Sequence, residues 1–190
     1  GQAKVEATGP NAEYFLGMPA SNQALNFQKA GAYLRIADDQ NAGPLDFRNG
    51  DEITLESWVR IDRLNHNDNV YILGKGRTYE QGVQENQNYA LRLRAVGSEA
   101  KVSFLFSTRA QPDAEPTYHR WTSAKGFAAD GMWHHVAVTY QFGDTASIKG
   151  YVDGELSKGT WDMGGATKLP PINDNDAVWI GSSRGGDPGN

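Results

Sequence analysis

The segment Trp133–Tyr140, WHHVAVTY, and the segment Glu52–Ile61, EITLESWVRI, are the parts of the sequence that most clearly indicate the fold. Both alternate apolar side chains with polar or aromatic ones, and successive side chains of a β-strand point to opposite faces of the sheet. Val136 and Val138 therefore share one face, whereas Ala137 lies on the other. Each segment is predicted to be a strand with an aliphatic face, and one face of each strand is expected to line a core between two sheets.

The same alternation, or a short apolar run, recurs along the chain, and Gly, Asn, Asp or Pro separates the runs. Strands are predicted at 23–28, 32–37, 52–61, 69–74, 88–95, 100–107, 118–122, 132–141, 146–153 and 177–181. Many short strands without helical periodicity between them indicate an all-β fold, either an antiparallel sandwich or a barrel. Residues 1–22 are predicted to be an N-terminal lead-in, and the polar, proline-containing stretch 109–120 a long loop at the rim.

Composition excludes several classes of function. The chain has 190 residues with 18 Lys and Arg against 23 Asp and Glu, a net charge of −5, and this charge argues against nucleic acid as a partner. The chain contains no cysteine, so disulfides, thiol nucleophiles and thiolate metal sites are excluded. No apolar run approaches the roughly 18 residues of a membrane span, so no membrane insertion is predicted.

Seven segments, in chain order, carry a resemblance to a known family. They are ALNF at 24–27, YLRI at 33–36, ITLESWV at 53–59, ILGKG at 72–76, WHHVAVTY at 133–140, GYVDG at 150–154 and WIGSS at 179–183. Together they resemble the laminin G-like domains of the concanavalin A-like lectin/glucanase superfamily. The resemblance implies a jelly-roll-like sandwich of two antiparallel sheets, with the domain extending over residues 23–190.

The stretches 74–76 and 161–186 resemble more closely the laminin G-like modules of large planctomycete-type proteins, some of which contain cytochrome-like domains. This resemblance implies a larger exported bacterial protein and an extracellular, cell-surface or periplasmic location, with neighbouring domains as partners. The chain departs from the family at two places. QKAGA at 28–32 replaces an Asp-rich stretch, and no FxGxIDEV-like strand follows Gly181, so the domain is expected to lack its closing strand.

The superfamily includes glucanases that use paired carboxylates, and retaining hydrolysis needs two carboxyl groups roughly 5–5.5 Å apart. The nearest match to such a motif is DEITLE at 51–56, but Ile53 stands where the middle acid is needed. Glu56 is then a single carboxylate without a catalytic partner. The chain is therefore predicted not to be an enzyme.

His134 and His135 are adjacent, so on a strand they point to opposite faces and cannot hold one metal ion together. A cross-strand hydrogen bond between Glu56 and His135 is the structural expectation, because both lie on the polar-aromatic faces of their strands. A catalytic dyad of the same two residues is the alternative.

Calcium is the one cofactor that the sequence and the resemblance suggest. Oxygen-rich loops around Asp38 and around Asp174 and Asp176 contain the carboxylates that calcium uses. The alternative is that these loops form Asx turns. None has EF-hand spacing, and the Asp that relatives supply from the closing strand is not in this sequence.

A candidate ligand surface combines aromatic rings with planar polar groups, which suit sugar rings and their hydroxyl groups. The rim loop is expected to present four of these side chains and later loops two more: Tyr118, His119, Arg120, Trp121, Trp161 and Arg184. Arg92 and Arg94 are predicted to point to one face of their hairpin. The alternative is that Trp121 and Trp161 only pack loops onto the sandwich.

From these features we expect a non-catalytic recognition or adhesion module that binds a glycan or another surface ligand. A protein–protein or structural scaffold module is the second possibility, and a glycan-active enzyme is the third. Trp58 and Trp133 are predicted to be largely buried, because each lies within one of the two most apolar strands.

Overall fold

The computed structural model describes residues 4–27, 31–38, 43–77 and 86–184. Within these ranges the chain contains strands and no helix, so no described helix could span a membrane. The strands are β1 Lys4–Thr8, β2 Gln23–Asn26, β3 Leu34–Ile36, β4 Glu52–Arg60, β5 Asn69–Gly76, β6 Gln87–Val96, β7 Glu99–Thr108, β8 Thr117–Ala128, β9 Trp133–Gln141, β10 Lys149–Val152, β11 Glu155–Ser157, β12 Gly159–Met163 and β13 Val178–Ile180.

Two antiparallel sheets form the sandwich. The larger sheet has seven strands in the order β12-β8-β7-β6-β5-β13-β3, and the smaller has four in the order β11-β10-β9-β4. A two-stranded sheet, β1-β2, stands apart from both. The predicted all-β sandwich of antiparallel sheets is thus confirmed.

The core lies between the two sheets and is built from the aliphatic and aromatic faces of their central strands. Its fully or nearly fully buried members include Ile53, Leu55, Leu91, Leu93, Val102, Phe104, Phe106, Val136, Val138 and Tyr140. Burial of this apolar surface is the main favourable term in folding, at about 25 cal/mol per Å². The other face of each sheet points away from this core, and we call it the outer face.

The pairing of β4 with β9 confirms the predicted strand faces. The register runs from Glu52 opposite Gln141 to Arg60 opposite Trp133. The aliphatic side chains of both strands enter the core, as the alternation predicted.

The prediction that Trp58 and Trp133 are largely buried is wrong. Both are half-buried, because the period of two places them on the outer face, opposite the aliphatic side chains. The ring of Phe15 covers Trp58 edge-on, with the ring centroids 4.5 Å apart.

Three strands were not predicted: β1, β11 and β12. The segment 1–22 therefore includes a strand, β1, which pairs with β2. Residues 118–120 were predicted both as part of the strand 118–122 and as part of the rim loop 109–120; they lie on a strand, because β8 begins at Thr117 and continues to Ala128. The four predicted ligand residues at 118–121 are therefore strand residues and not loop residues. Residues 28, 39–41 and 185–190, which belong to predicted strand, calcium-loop and domain boundaries, lie outside the described residues.

Candidate functional site

The outer face of the seven-stranded sheet carries a group of arginines that we call the arginine cluster: Arg77, Arg92, Arg94 and Arg120, with Tyr71. The alternation in β6 explains it. Leu91 and Leu93 enter the core, so Arg92 and Arg94 lie on the opposite face, as predicted. Tyr71 joins them because it is the cross-strand partner of Arg92 in β5.

Arg92 lies at the buried centre of the cluster and is only 5% exposed. Its Nη1 donates to the hydroxyl of Tyr71 at 3.2 Å, and its Nη2 donates to Oγ of Ser103 at 3.2 Å. Its Nε has no hydrogen-bond partner, and no described carboxylate pairs with it. The guanidinium carbon also lies over the Tyr71 ring, 5.1 Å from the centroid. A full positive charge is therefore buried with neutral partners alone.

Asp162 supplies a carboxylate nearby, but other arginines bind it. Nη1 of Arg94 donates to Oδ2 of Asp162 at 2.5 Å, and Nε of Arg120 donates to Oδ1 at 2.7 Å. The hydroxyl of Thr122 donates to the same carboxylate at 3.1 Å. Arg94 thus connects β6 to β12 across the two strands that separate them in the sheet.

Like charges surround Arg92. The pKa of Arg92 is lowered, and burial is the largest cause. Repulsion from Arg120 and Arg77 lowers the pKa further, whereas the interaction with Tyr71 raises it. Arg77 also donates to the Tyr71 hydroxyl, at 3.2 Å, so one phenol oxygen accepts from two guanidinium groups. The arrangement would favour a negatively charged ligand group at this position.

The prediction that His119 and Trp121 lie on a ligand surface is wrong. Trp121 is 3% exposed, and His119 is also buried. In the register of β7 with β8, Trp121 is opposite Phe104 and His119 is opposite Phe106. Directly opposite residues point to the same face, so both side chains enter the interior with the phenylalanines.

His119 is satisfied inside the domain. Its Nδ1 lies 2.9 Å from the carbonyl oxygen of Gly165, and its Nε2 lies 3.0 Å from Oγ1 of Thr108. Since Nδ1 must donate to the carbonyl, Nε2 can accept from the threonine hydroxyl. These contacts give His119 a positioning role within the fold.

Trp161 lies on β12 rather than on a loop, and its backbone is paired with that of Trp121. The two tryptophans are therefore neighbours in the larger sheet. Trp161 packs against the core, with its ring centroid 6.0 Å from that of Phe106 and 5.7 Å from that of Tyr140. The alternative interpretation, in which the two tryptophans pack against the sandwich, agrees with the structure.

Tyr118 and Arg120 alternate with these inward residues and lie on the outer face. The structure does not place Arg184 beside them. Arg184 follows β13, which is separated from β8 by β7, β6 and β5. Four strand spacings correspond to roughly 19 Å, so Arg184 and the β8 residues do not form one site.

The three predicted calcium ligands lie in different surroundings. Asp38 is buried and binds the ammonium of Lys75 at 2.5 Å, an ammonium that Asp46 also binds. Asp174 accepts from Nδ2 of Asn86 at 2.7 Å and from Nδ2 of Asn88 at 3.0 Å. The backbone NH of Asp176 donates to Asp174 at 3.1 Å, which is the Asx-turn geometry of the alternative interpretation.

The side chains around Asp174 are carboxylate and amide groups, whose oxygens are the kind of ligand that calcium uses. The side-chain oxygens of Asn86 and Asn88 are buried and have no partner. A half-turn of either amide exchanges oxygen for nitrogen and would turn that oxygen towards Asp174. Among the described residues no three His, Asp or Glu side chains group together, so amide and carbonyl oxygens would have to complete a calcium site here.

The smaller sheet contains the predicted Glu56–His135 pair on its outer face. His135 Nε2 and Glu56 Oε2 are 3.6 Å apart, which is an ion-pair distance but too long for the predicted hydrogen bond. In the register, His135 is opposite Trp58, and Glu56 is opposite Ala137. The pair is diagonal, and this geometry explains the longer separation.

A laminin G-type family model, described as the concanavalin A-like lectin/glucanases superfamily, matches residues 28–189. The chain belongs to this superfamily. A search of curated proteins found no match. The laminin G-like assignment is therefore established at the level of the superfamily, and the resemblance to planctomycete-type modules stays a prediction.

Three solved structures are similar to this chain. Endo-β-1,4-glucuronan lyase from the fungus Trichoderma reesei is 15% identical with a TM-score of 0.50, and the match covers 94% of this chain and 77% of the lyase. A carbohydrate esterase of the Shiga toxin-encoding bacteriophage phi24B is 17% identical, with a TM-score of 0.45 and coverage of 95% and 84%. Domains LG4-5 of the mouse laminin α1 chain are 15% identical, with a TM-score of 0.47 and coverage of 82%. The chain spans only 33% of that laminin structure.

Sequence reasoning placed Arg92 and Arg94 on one face but did not assign them to a site. The available signal was the alternation LRLR at 91–94, in which two arginines follow the strand period within an acidic chain. Tyr71 and Asp162 gave no comparable signal. Their positions depend on pairings of β5 with β6 and of β12 with β8, which local sequence does not specify.

Proposed function

We propose that this domain is a non-catalytic recognition module that binds a glycan on the outer face of the seven-stranded sheet. The carrying observation is the arginine cluster, in which Arg92 is buried beside Tyr71 and Ser103 without a carboxylate partner. Guanidinium groups donate several hydrogen bonds in a fixed plane, and this geometry suits ligands that are rich in oxygen. The superfamily to which the chain belongs includes lectins by its description.

The proposal includes a larger exported protein, in which the module is extracellular, at the cell surface or in the periplasm. This part of the proposal is based on the resemblance of residues 74–76 and 161–186 to the laminin G-like modules of large planctomycete-type proteins. The neighbouring domains of that protein would then be partners of this one.

Binding to a glycan array, with and without added calcium, tests this function. We expect at least one glycan class to be retained, and Arg94→Ala to weaken its affinity about tenfold, as loss of a hydrogen bond to a charged group does. Arg60→Ala is the matched control, since Arg60 is exposed on the outer face of the smaller sheet. Retention of no glycan, or an equal loss with Arg60→Ala, would overturn the proposal.

A protein-interaction or scaffold role is the second candidate, and exposed apolar side chains in the N-terminal part favour it. Leu16, Tyr14 and Val5 are all exposed. A module that retains no glycan but binds a neighbouring domain, and loses that binding with Leu16→Ser, would support this role instead. Single exposed apolar residues are common on protein surfaces, so the arginine cluster is the stronger observation.

A further inference from the structure

The charge of Arg92 is costly in its present surroundings. Removing a charged group from water is unfavourable unless it is paired and fully hydrogen-bonded. Arg92 has the Tyr71 hydroxyl, the Tyr71 ring and the Ser103 hydroxyl as partners, all of them neutral, and its Nε is unsatisfied. The described residues therefore satisfy the hydrogen-bonding groups and the charge of Arg92 only in part.

The neighbouring charges do not correct the imbalance. Arg77 and Arg120 are close enough to repel Arg92. The carboxylate of Asp162 has both oxygens bound, one by Arg94 and one by Arg120. At the centre of the cluster an anion is the missing partner.

Two arginines of the cluster are accessible to solvent. The side chains of Arg94 and Arg120 are 28% and 15% exposed, whereas Arg92 is only 5% exposed. A group that enters from solvent would meet the partly exposed guanidiniums first and would then approach Arg92. Such an order of contacts suits a flexible acidic substituent on a larger ligand.

We propose that the glycan is acidic, and that a carboxylate or sulfate group of one of its sugars binds at Arg92 between the neighbouring arginines. This inference rests on the proposed glycan-binding function and specifies its ligand class. The two groups share the relevant chemistry, a delocalised oxyanion that accepts paired hydrogen bonds from a guanidinium. A neutral glycan would leave the buried charge unpaired.

The overall charge of the chain strengthens the argument for a local site. The net charge is −5, so the whole molecule does not attract polyanions. An acidic glycan that binds this domain must therefore gain its affinity from a local cluster of positive charge. Screening of that cluster would make the affinity fall as the salt concentration rises.

The decisive experiment uses the unaltered domain and pairs of probes in which one member carries the acidic group and the other does not. Oligogalacturonides and oligoglucuronides are each compared with their methyl esters, and dextran sulfate is compared with dextran. We expect at least one acidic probe to bind tenfold or more tightly than its neutral counterpart and to raise the thermal unfolding midpoint. Preference within the uronide pairs assigns a carboxylate, and preference for dextran sulfate assigns a sulfate.

Variants then locate the preference. Arg92→Gln is expected to abolish the difference between acidic and neutral probes, whereas Arg60→Gln on the smaller sheet keeps it. If Arg92→Gln does not fold, as judged by its unfolding transition, Arg120→Gln serves in its place. Arg120 is partly exposed. Arg120→Gln is expected to reduce the preference for acidic over neutral probes at least threefold.

The outcomes separate the two proposals. If glycans bind but acidic and neutral members of every pair bind equally, the charge inference is wrong and the glycan-binding function stands. If no glycan binds, the proposed function and the inference fail together. An acidic preference that both Arg92→Gln and Arg120→Gln leave unchanged would overturn the assignment to this cluster.

Discussion

The indole ring of Trp121 fills the space in which Gly150 would carry a side chain. Trp121 belongs to the larger sheet and Gly150 to the smaller one, so this contact joins the two layers of the sandwich. A Cβ on Gly150, or on Gly159, would overlap the six-membered ring of Trp121. The two glycines therefore make room for one large buried side chain.

Trp121→Ala is expected to lower the free energy of unfolding by about 3–5 kcal/mol, because it leaves a cavity between the sheets. Urea unfolding measures the change. Trp58→Ala is the control and is expected to have a smaller effect, since Trp58 is half-buried on an outer face. An unchanged unfolding midpoint in Trp121→Ala, with a loss of ligand affinity, would return Trp121 to the ligand surface.

Lys75→Met is expected to destabilise the domain by about 3–5 kcal/mol, since it leaves two buried carboxylates without a cation. The Lys75 side chain is 0% exposed and binds Asp38 and Asp46. Chemical denaturation of Lys75→Met, and of the same variant with Asp38→Asn and Asp46→Asn, measures the effect. The added substitutions should restore part of the loss. The exposed pair Lys125–Glu155 gives the control, and Lys125→Met should leave stability almost unchanged.

Stability is expected to fall as the pH rises above about 10. Burial lowers the pKa of Lys75, but hydrogen bonds and charge attraction from Asp38 and Asp46 outweigh it, so the pKa is raised in the folded state. Burial also raises the pKa of Tyr89, and it raises the pKa of Tyr140 to about 12. In each case the unfolded chain releases its proton first, so the stabilisation is complete below pH 10 and is lost through the folded pKa.

Urea unfolding at pH 8 and at pH 11 checks this dependence on pH. Tyr140→Phe removes one of the titrating groups, so its stability should decline less steeply than that of the unaltered protein. An equal free energy of unfolding at both pH values would contradict the prediction.

No hydrolysis of β-glucans is expected, because Glu56 is exposed and Ile53 stands where the middle acid of the hydrolase motif is needed. Release of reducing ends from laminarin or barley β-glucan measures the activity. Turnover that disappears in Glu56→Gln would show that the chain is an enzyme. Activity that persists in this variant would point to contamination or to another site.

Calcium binding is a proposal with its own test. We expect calcium to raise the thermal unfolding midpoint of the domain, and Asp174→Asn to remove the shift. Asp174 would supply one oxygen ligand, and the amides of Asn86 and Asn88, which now donate to Asp174 through Nδ2, would supply oxygens after a half-turn. Asp113→Asn is the control, since Asp113 is exposed in the loop between β7 and β8. A shift that Asp174→Asn leaves intact would place the ion elsewhere.

Local alternation in the sequence was enough to predict the central strands. The predicted segments 52–61, 88–95, 100–107 and 132–141 agree with β4, β6, β7 and β9 to within two residues. Each has a long period-two pattern with several β-branched or aromatic residues, and burial of one face follows directly from that pattern. The short strands β11 and β12 contain glycine and polar residues, so the pattern was too weak to indicate them.

The sequence by itself determined that the protein is an all-β domain and that Arg92 and Arg94 share a face, because both conclusions depend only on the strand period. The tertiary structure decided which face becomes the interior and which residues meet on the exterior. Trp121 is internal because β8 pairs with β7 in the register that places it opposite Phe104. Asp162 meets Arg94 across 68 positions in the chain, and Arg184 is remote from β8, because the order of strands in the sheet differs from their order in the sequence. Strand order and register are non-local properties, and local patterns of side chains do not specify them.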